Sequence, residues 1–336
     1  MACNSTVTTW LLTVRVDTLF NQWLTFCVAS LTVTNVTDPQ CTKQKALTKM
    51  ATDLEGKVAF ITGAARGQGR AHAQRLAGLG VNVIGVDICA DLPGVDYPNA
   101  TPADLQETAA LVEAAGAKIV TGIADVADQA ALKRVLDDGL AHFGRLDIVI
   151  ANAGVVRFSD DEDPIQTWND IVNTNLTGVW NTCHITCPVL IEGGRGGSIV
   201  ITSSTAGIKS VGTPKTGGRA YAAAKRGVVG LMQVLANDLA KHNIRVNTIH
   251  PTGVLSGMTM NDAMAKMVEA GNPELAQMQN ALPVEILTPD DIADAVEWLV
   301  SDRAKYVTGI QLPVDAGFTV RQPTNRHNAN PHPQCT

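Results

Sequence analysis

Tyr221-Ala-Ala-Ala-Lys225 sets a phenol and an ammonium four residues apart. On a helix that spacing brings both to one face. An unperturbed phenol ionises near about pH 10. A neighbouring ammonium stabilises the phenolate and draws the group toward proton transfer near neutral pH. The same pair also occurs on plain exposed helix faces, so it carries weight only with partners. Ser203-Ser204 ends a strand-like run, and a hydroxyl there can hold a substrate oxygen while Tyr221 moves the proton. Either serine fits that task. Asn175, in Asn173-Thr-Asn175-Leu-Thr-Gly178, falls inside a helical pattern, where asparagine is locally unfavourable and implies a polar task.

A second constellation lies upstream. The run Val58–Thr62 leads into Gly63-Ala-Ala-Arg66-Gly67-Gln68-Gly69 and then a helical pattern. Glycines there permit positive φ and let bare backbone approach a diphosphate against a helix N-terminus. The spacing is GxxxGxG, not the commoner GxGxxG. Asp87 with Ile88 lies at the end of the second strand-like run, 24 residues after Gly63. A carboxylate there can accept hydrogen bonds from adenosine ribose hydroxyls and would repel a 2′-phosphate, which points to NAD over NADP. Arg66 inside the turn pulls the other way. A positively charged nicotinamide ring would join Lys225 in stabilising the Tyr221 phenolate.

These groups must be positioned by an alternation of strands and helices. Short, β-branched runs at Val58–Thr62, Asn82–Asp87, Lys118–Ala124, Leu146–Ala151, Ser198–Ser203, Ile244–His250 and Gly309–Val314 read as strands covered on both faces. Helical patterns fall between them at Gly69–Leu79, Pro102–Ala115, Asp128–Phe143, Ile165–Leu190, Arg219–His242 and Pro289–Val300. The expected fold is α/β: one doubly wound Rossmann domain with a seven-stranded parallel sheet flanked by helices. Ligands of such sheets bind at the carboxyl edge, where Asp87 and Ser204 fall.

Of 336 residues, 45% are hydrophobic and 4% aromatic, a core-forming composition. Net charge is −6, but residues 1–49 and 321–336 each carry +2, which leaves −10 on the middle. That balance excludes a nucleic-acid partner. Seven scattered cysteines argue against a disulfide scaffold and for a reducing, cytoplasmic compartment. The apolar cluster Trp23–Val33 is too interrupted for a membrane span and starts too deep for a signal peptide. Residues 1–49 are therefore expected to be a disordered extension, 50–321 the domain, and 322–336 a flexible tail. His327, His332 and Cys335 in that tail offer no preformed metal geometry, and no metal is expected. Cys183-His184-x-x-Cys187 reads as helix packing, with His184 facing away from the two thiols. Trp168, Trp180 and Trp298 are read as packing too. The methionine-rich stretch Met258–Met278 suits a mobile apolar cover or ordinary helix packing equally. No GxSxG elbow or phosphate-loop motif anchors a hydrolase or a nucleotidase.

From about Leu54 to Arg321 the chain resembles the short-chain dehydrogenase/reductase family. The resemblance rests on the Gly63/Gly67/Gly69 turn, Asp125-Val126, Asn152-Ala153-Gly154, Asn175, Ser204, Tyr221, Lys225, Pro251-Thr-Gly253 and Val314-Asp-Ala-Gly317, in order. It implies Tyr221 as general acid/base, Ser204 holding the substrate oxygen, and Lys225 on the nicotinamide ribose. It also implies that Asn175 holds a relay water and Asp125 meets the adenine. Asn152–Gly154 would line the nicotinamide side, and Pro251–Val254 with Ser256 would hold the carboxamide. A small, apolar or cyclic secondary alcohol or ketone is the implied substrate, and a homotetramer the implied assembly. The alternatives are an NADPH-dependent 3-oxoacyl carrier reductase and a non-catalytic NAD-binding redox sensor.

Two stretches depart from the common pattern. Ser204 and Tyr221 are 17 residues apart, longer than the family's usual gap, with the excess in Val211–Gly218, read as an extruded loop. A second insertion follows Cys89, through Pro93, Tyr97 and Pro98 to Ala100. It resembles the mycofactocin-associated, carveol-dehydrogenase-like branch, which implies a lid over the adenine end and a redox peptide as electron acceptor. A plain surface insertion is the alternative.

Overall fold

The computed structural model describes residues 53–159, 162–209, 213–271 and 279–321. The expectations for residues 1–49 and 322–336 lie outside the described residues.

Seven strands form one parallel sheet in the order β3-β2-β1-β4-β5-β6-β7. They are β1 (Val58–Thr62), β2 (Asn82–Asp87), β3 (Ile119–Ile123), β4 (Ile148–Ala151), β5 (Gly197–Thr202), β6 (Ile244–Pro251) and β7 (Gln311–Val314). Successive residues of a strand point to opposite faces; both faces are covered across β1, β2, β4, β5 and β6, whereas the edge strands β3 and β7, expected to be covered too, stay partly exposed. Val58, Phe60, Ile84, Val86, Val149 and Ile199 pack into one cluster with α3 (Gln129–Phe143), α5 (Gly178–Gly193) and α6 (Thr216–Leu239). Ala59, Ile61, Val83, Ile148, Ile150 and Val200 enter the other, with α1 (Gly67–Ala77), α2 (Pro102–Ala114) and α8 (Pro289–Val300). Each fully buried large side chain contributes about 1.5–3 kcal/mol. This two-sided burial is why the strands read as continuous apolar runs. The order reverses between β1 and β4, and such a switch point opens a crevice at the carboxyl edge.

The expected helix Ile165–Leu190 is instead three elements: α4 (Pro164–Val172), a π turn (Asn173–Thr177) and α5. The cause is local. Asn175 Nδ2 donates to the Ile171 carbonyl at 2.8 Å, the acceptor an α-helix would give to the Asn175 backbone. A side chain that takes the i−4 acceptor displaces the ladder by one residue.

The Val211–Gly218 stretch is not all extruded loop. Residues 210–212 lie outside the described residues, but α6 already begins at Thr216. A Cβ at Gly217 would collide with the Arg157 carbonyl oxygen, so the helix start rests directly on residue 157. Trp168 and Trp180 are 42% and 46% exposed rather than packed, and Trp180 stacks on His184 at 4.8 Å. Trp298 does pack, against the second cluster. Cys183 and Cys187 are buried in the first. A short helix that the periodicity gave no sign of, α7 (Asp262–Glu269), starts at an Asn261 cap and buries none of its residues.

Candidate active site

The carboxyl edge holds a cleft, built from its strand ends. β1 stops at Thr62, and the chain turns through Gly63 at φ +67° and Gly67 at φ +56°, left-handed values that favour glycine. A Cβ on Gly63 would lie 2.9 Å from the Ala153 Cα. One on Gly69 would overlap the Gly63 carbonyl, so this third glycine lets α1 close onto the turn. Asp87 ends β2 and ties the turn down, accepting from Ala65 N at 3.0 Å through Oδ2 and from Cys89 N at 3.2 Å through Oδ1. Its carboxylate lines the cleft with Ile88 and Gln68. Gln68 Oε1 is buried without a protein partner, an acceptor left for a ligand donor. Arg66 also lines the cleft, but its guanidinium donates to the Pro98 carbonyl at 2.6 Å and abuts Gly257. It clasps two segments across the cleft.

Asp125 and Val126 follow β3, beyond β2, and Asn152–Gly154 follow β4 on the far side of β1; all line the same cleft. Asp125 caps its own turn through Ala127 N. Asn152 Nδ2 donates to Thr62 O at 3.1 Å, which fixes the β1 and β4 ends to each other.

β5 delivers the two serines, and they separate. Ser203 Oγ donates to the Lys225 carbonyl at 2.8 Å and is buried; Ser204 bonds the Tyr221 hydroxyl. Ser204 is thus the serine that meets the phenol. Tyr221 and Lys225 share one face of α6, with Nζ 5.6 Å from the ring centroid. Lys225 Nζ gives one proton to the Thr202 carbonyl at 2.7 Å. Burial alone draws its pKa down to about 7. Burial pushes the Tyr221 phenol up, and the Ser204 bond pulls against it. In the protein alone, without the nicotinamide charge that the expectation included, burial outweighs the Ser204 bond and holds the phenol above its ordinary value.

Asn175 does not line the cleft; it is fully buried one layer behind. Its Nδ2 donates to Val155 O at 2.7 Å, while its Oδ1 is buried and unpartnered. A methyl on Gly154 would stand 2.8 Å from that oxygen and 3.3 Å from Lys225 Nζ. The two groups therefore flank one point.

From β6, Pro251, Val254 and Ser256 reach the cleft. Gly253 does not: its carbonyl accepts from Leu287 N at 3.0 Å, in a parallel bridge between residues 254 and 287. Thr252 lines the cleft in its place, and Met258 joins it. His250 was not singled out by sequence. Its ring is buried, bonded to Ser204 O and Thr248 Oγ1 at 2.8 Å each, and burial lowers its pKa, so a neutral imidazole braces Ser204. Tyr97 and Asn99, from the insertion after β2, line the cleft as well. Their one sequence signal was the insertion itself.

A family model described as enoyl-(acyl carrier protein) reductase matches residues 63–319. An oxidoreductase of Mycobacterium tuberculosis is 53% identical over 79% of this chain and 97% of its own length, which decides the matter. The chain belongs to the short-chain dehydrogenase/reductase family. Among relatives in this family, a (−)-trans-carveol dehydrogenase of Rhodococcus erythropolis is 44% identical over 80% of this chain and 99% of its own length. A crystal structure of a short-chain dehydrogenase from Mycobacterium paratuberculosis bound to NAD is 46% identical at a TM-score of 0.75. It covers 80% of this chain and all of that one.

Proposed function

We propose that this short-chain dehydrogenase/reductase is an NAD-dependent secondary-alcohol dehydrogenase, able to run in reverse as a ketone reductase. The observation that carries the reading is the meeting of Ser204, Tyr221 and Lys225 in the cleft that Asp87 and the glycine turn enter from the other end. The cleft suits a dinucleotide: its turn excludes any Cβ at Gly63 and Gly69, and its buried Gln68 acceptor awaits a donor. Asp87 would take the adenosine ribose, and Asn152–Gly154 with Pro251, Val254 and Ser256 the nicotinamide end. Bound NAD supplies the hydride acceptor and, when oxidised, a positive charge beside Tyr221.

The chain's own residues handle the proton. Ser204 donates to the substrate oxygen, and Tyr221 removes the hydroxyl proton as that oxygen becomes a carbonyl. Lys225 keeps two protons beyond its bond to Thr202 O, free for ribose hydroxyls. The unpartnered Asn175 Oδ1 beside Lys225 suits a water that passes the proton onward. Leu92, Val155 and Met258 give the mouth an apolar lining, which favours a cyclic or terpenoid-like alcohol.

Kinetics with both nicotinamides on an apolar cyclic secondary alcohol test this reading. Oxidation with NAD is expected to exceed that with NADP by at least about 30-fold in kcat/KM, the effect of about 2 kcal/mol of like-charge repulsion at Asp87. A preference for NADP would overturn both the role of Asp87 and the cofactor.

We further propose that the protein is a homo-oligomer, with a tetramer as the family's implied form. Ile165 and Trp168 on α4, Trp180 on α5 and Val234 on α6 are large apolar side chains left in solvent on helices that pack together. Sedimentation should show a species several times the 35.4 kDa protomer, reduced to smaller forms by Trp168→Glu with Trp180→Glu. A wild-type monomer would end the proposal.

A further inference from the structure

The backbone after β4 runs beside Tyr221, and among the described residues no neighbouring strand takes its hydrogen bonds. Side chains from elsewhere supply them instead. Asn175 Nδ2 donates to Val155 O. Tyr97 OH accepts from Val156 N at 3.3 Å. Asp96 Oδ2 accepts from Phe158 N at 3.1 Å and from Ser159 N at 2.6 Å. Three of these four bonds end on two adjacent residues of the insertion that follows β2. Leu92 and Val95 of the same insertion pack with Val155, Ile171, Ala220 and Tyr221 itself.

The insertion is closed on itself and bolted at both ends. Asn99 N donates to Asp91 Oδ1 at 2.7 Å, and Asn99 Nδ2 to Ala90 O at 3.0 Å. Gly94 N donates to Asp170 Oδ2 on α4 at 2.8 Å, where a Cβ would also crowd the Thr167 Cα. Its other end holds Arg66 of the glycine turn through Pro98 O. One braced loop therefore touches the turn at the nucleotide end and the backbone wall at the reaction end.

We infer that Asp96 and Tyr97 are positioning residues, through which the insertion sets the wall at residues 155–159 and makes seating of the nucleotide and assembly of the reaction end a single event. A cover over the adenine end alone would need none of the three bonds to that wall. The kinetic consequence rests on the reading of Tyr221 given above; the structural one needs only NAD binding.

Three variants of the full chain test this: Asp96→Ala, Asp96→Asn and Tyr97→Phe. Each is measured for NAD affinity, for kcat and KM on the alcohol, and for amide hydrogen exchange at Val156, Phe158 and Ser159 with and without NAD. In the wild type, NAD should slow exchange at all three amides. Asp96→Ala removes two hydrogen bonds and should lower kcat about tenfold or more, with KM changed less, and should abolish the slowing at Phe158 and Ser159. Asp96→Asn keeps an acceptor oxygen and should restore most of both. Tyr97→Phe keeps the ring packing, should lower kcat a few-fold and should release Val156 alone. The inference is overturned if Asp96→Ala weakens NAD binding while kcat and exchange stay as in the wild type. It is equally overturned if Asp96→Asn is as impaired as Asp96→Ala, or if Tyr97→Phe leaves Val156 exchange unchanged. An active Tyr221→Phe enzyme would remove the mechanism and leave the exchange results to stand or fall on their own.

Discussion

Tyr221→Phe is expected to lower kcat for alcohol oxidation by about 10²- to 10⁴-fold, the usual range for removing a general acid/base. NAD affinity should move by less than about threefold. The variant is well suited to the question because it deletes one oxygen and leaves the ring, which packs with Val155, Ile171 and Ala220. The lost bond is the one to Ser204, whose backbone stays braced by His250. Circular dichroism and melting should therefore match the wild type. Steady-state rates at saturating alcohol and NAD check the result, and turnover within tenfold of wild type would exclude Tyr221 from the proton step. A wild-type protein that binds NAD yet oxidises no alcohol would favour the redox-sensor alternative instead.

The second large effect is a divergence of stability from activity at Lys225. The ammonium is buried, and its folded pKa is drawn to about 7 from an ordinary 10.5. Between those values the unfolded chain holds a proton that the folded chain has released. Stability from this group therefore rises with pH across that window, and the full penalty applies below about pH 7. By linkage the penalty is about 4 kcal/mol at pH 7 and shrinks to about 1 kcal/mol at pH 10. Lys225→Met removes it but leaves the Thr202 carbonyl without its donor, which costs about 1–3 kcal/mol. Without added nucleotide, Lys225→Met should be more stable than wild type at pH 7 by roughly 1–3 kcal/mol, a gain of several degrees in Tm. The advantage should vanish or reverse by pH 10. Activity should fall by about 10²-fold or more, because the phenolate loses its neighbouring ammonium and the ribose hydroxyls lose their donor. Chemical denaturation at pH 7 and pH 10 checks the sign. A variant less stable at pH 7 than at pH 10, relative to wild type, would refute the buried-ammonium account.

The elements were legible where burial was two-sided and turns were sharp. β1 and β2 coincide with the apolar runs Val58–Thr62 and Asn82–Asp87, because each run is covered on both faces and stops at the cleft. The glycine turn and the strand-end polar groups were readable because each needs a particular residue type at one place. Illegible features depended on contacts distant in sequence. The π turn exists because one asparagine amide takes a carbonyl four residues back, and the helical periodicity of Ile165–Leu190 carries no trace of that. Gly253 belongs to a segment that enters the cleft, but its carbonyl is claimed by Leu287, 34 residues on. Trp168 and Trp180 were read by residue type as interior, and they face outward. The reach of the insertion to Tyr221 was hidden for the same reason: Asp96 finds its partners at Phe158 and Ser159, 62 and 63 residues away.

The anchorage of that insertion also bears on how such chains can be recombined. Its hydrogen bonds to the rest of the chain fall on Arg66, Val156, Phe158, Ser159 and Asp170, scattered across three separate stretches. A sibling enzyme given only residues 88–100 would receive a loop with nowhere to fasten. The portable unit is the loop together with Arg66 and the stretch from 155 to 170, and the Gly94 site on α4 fixes how closely loop and stretch must fit.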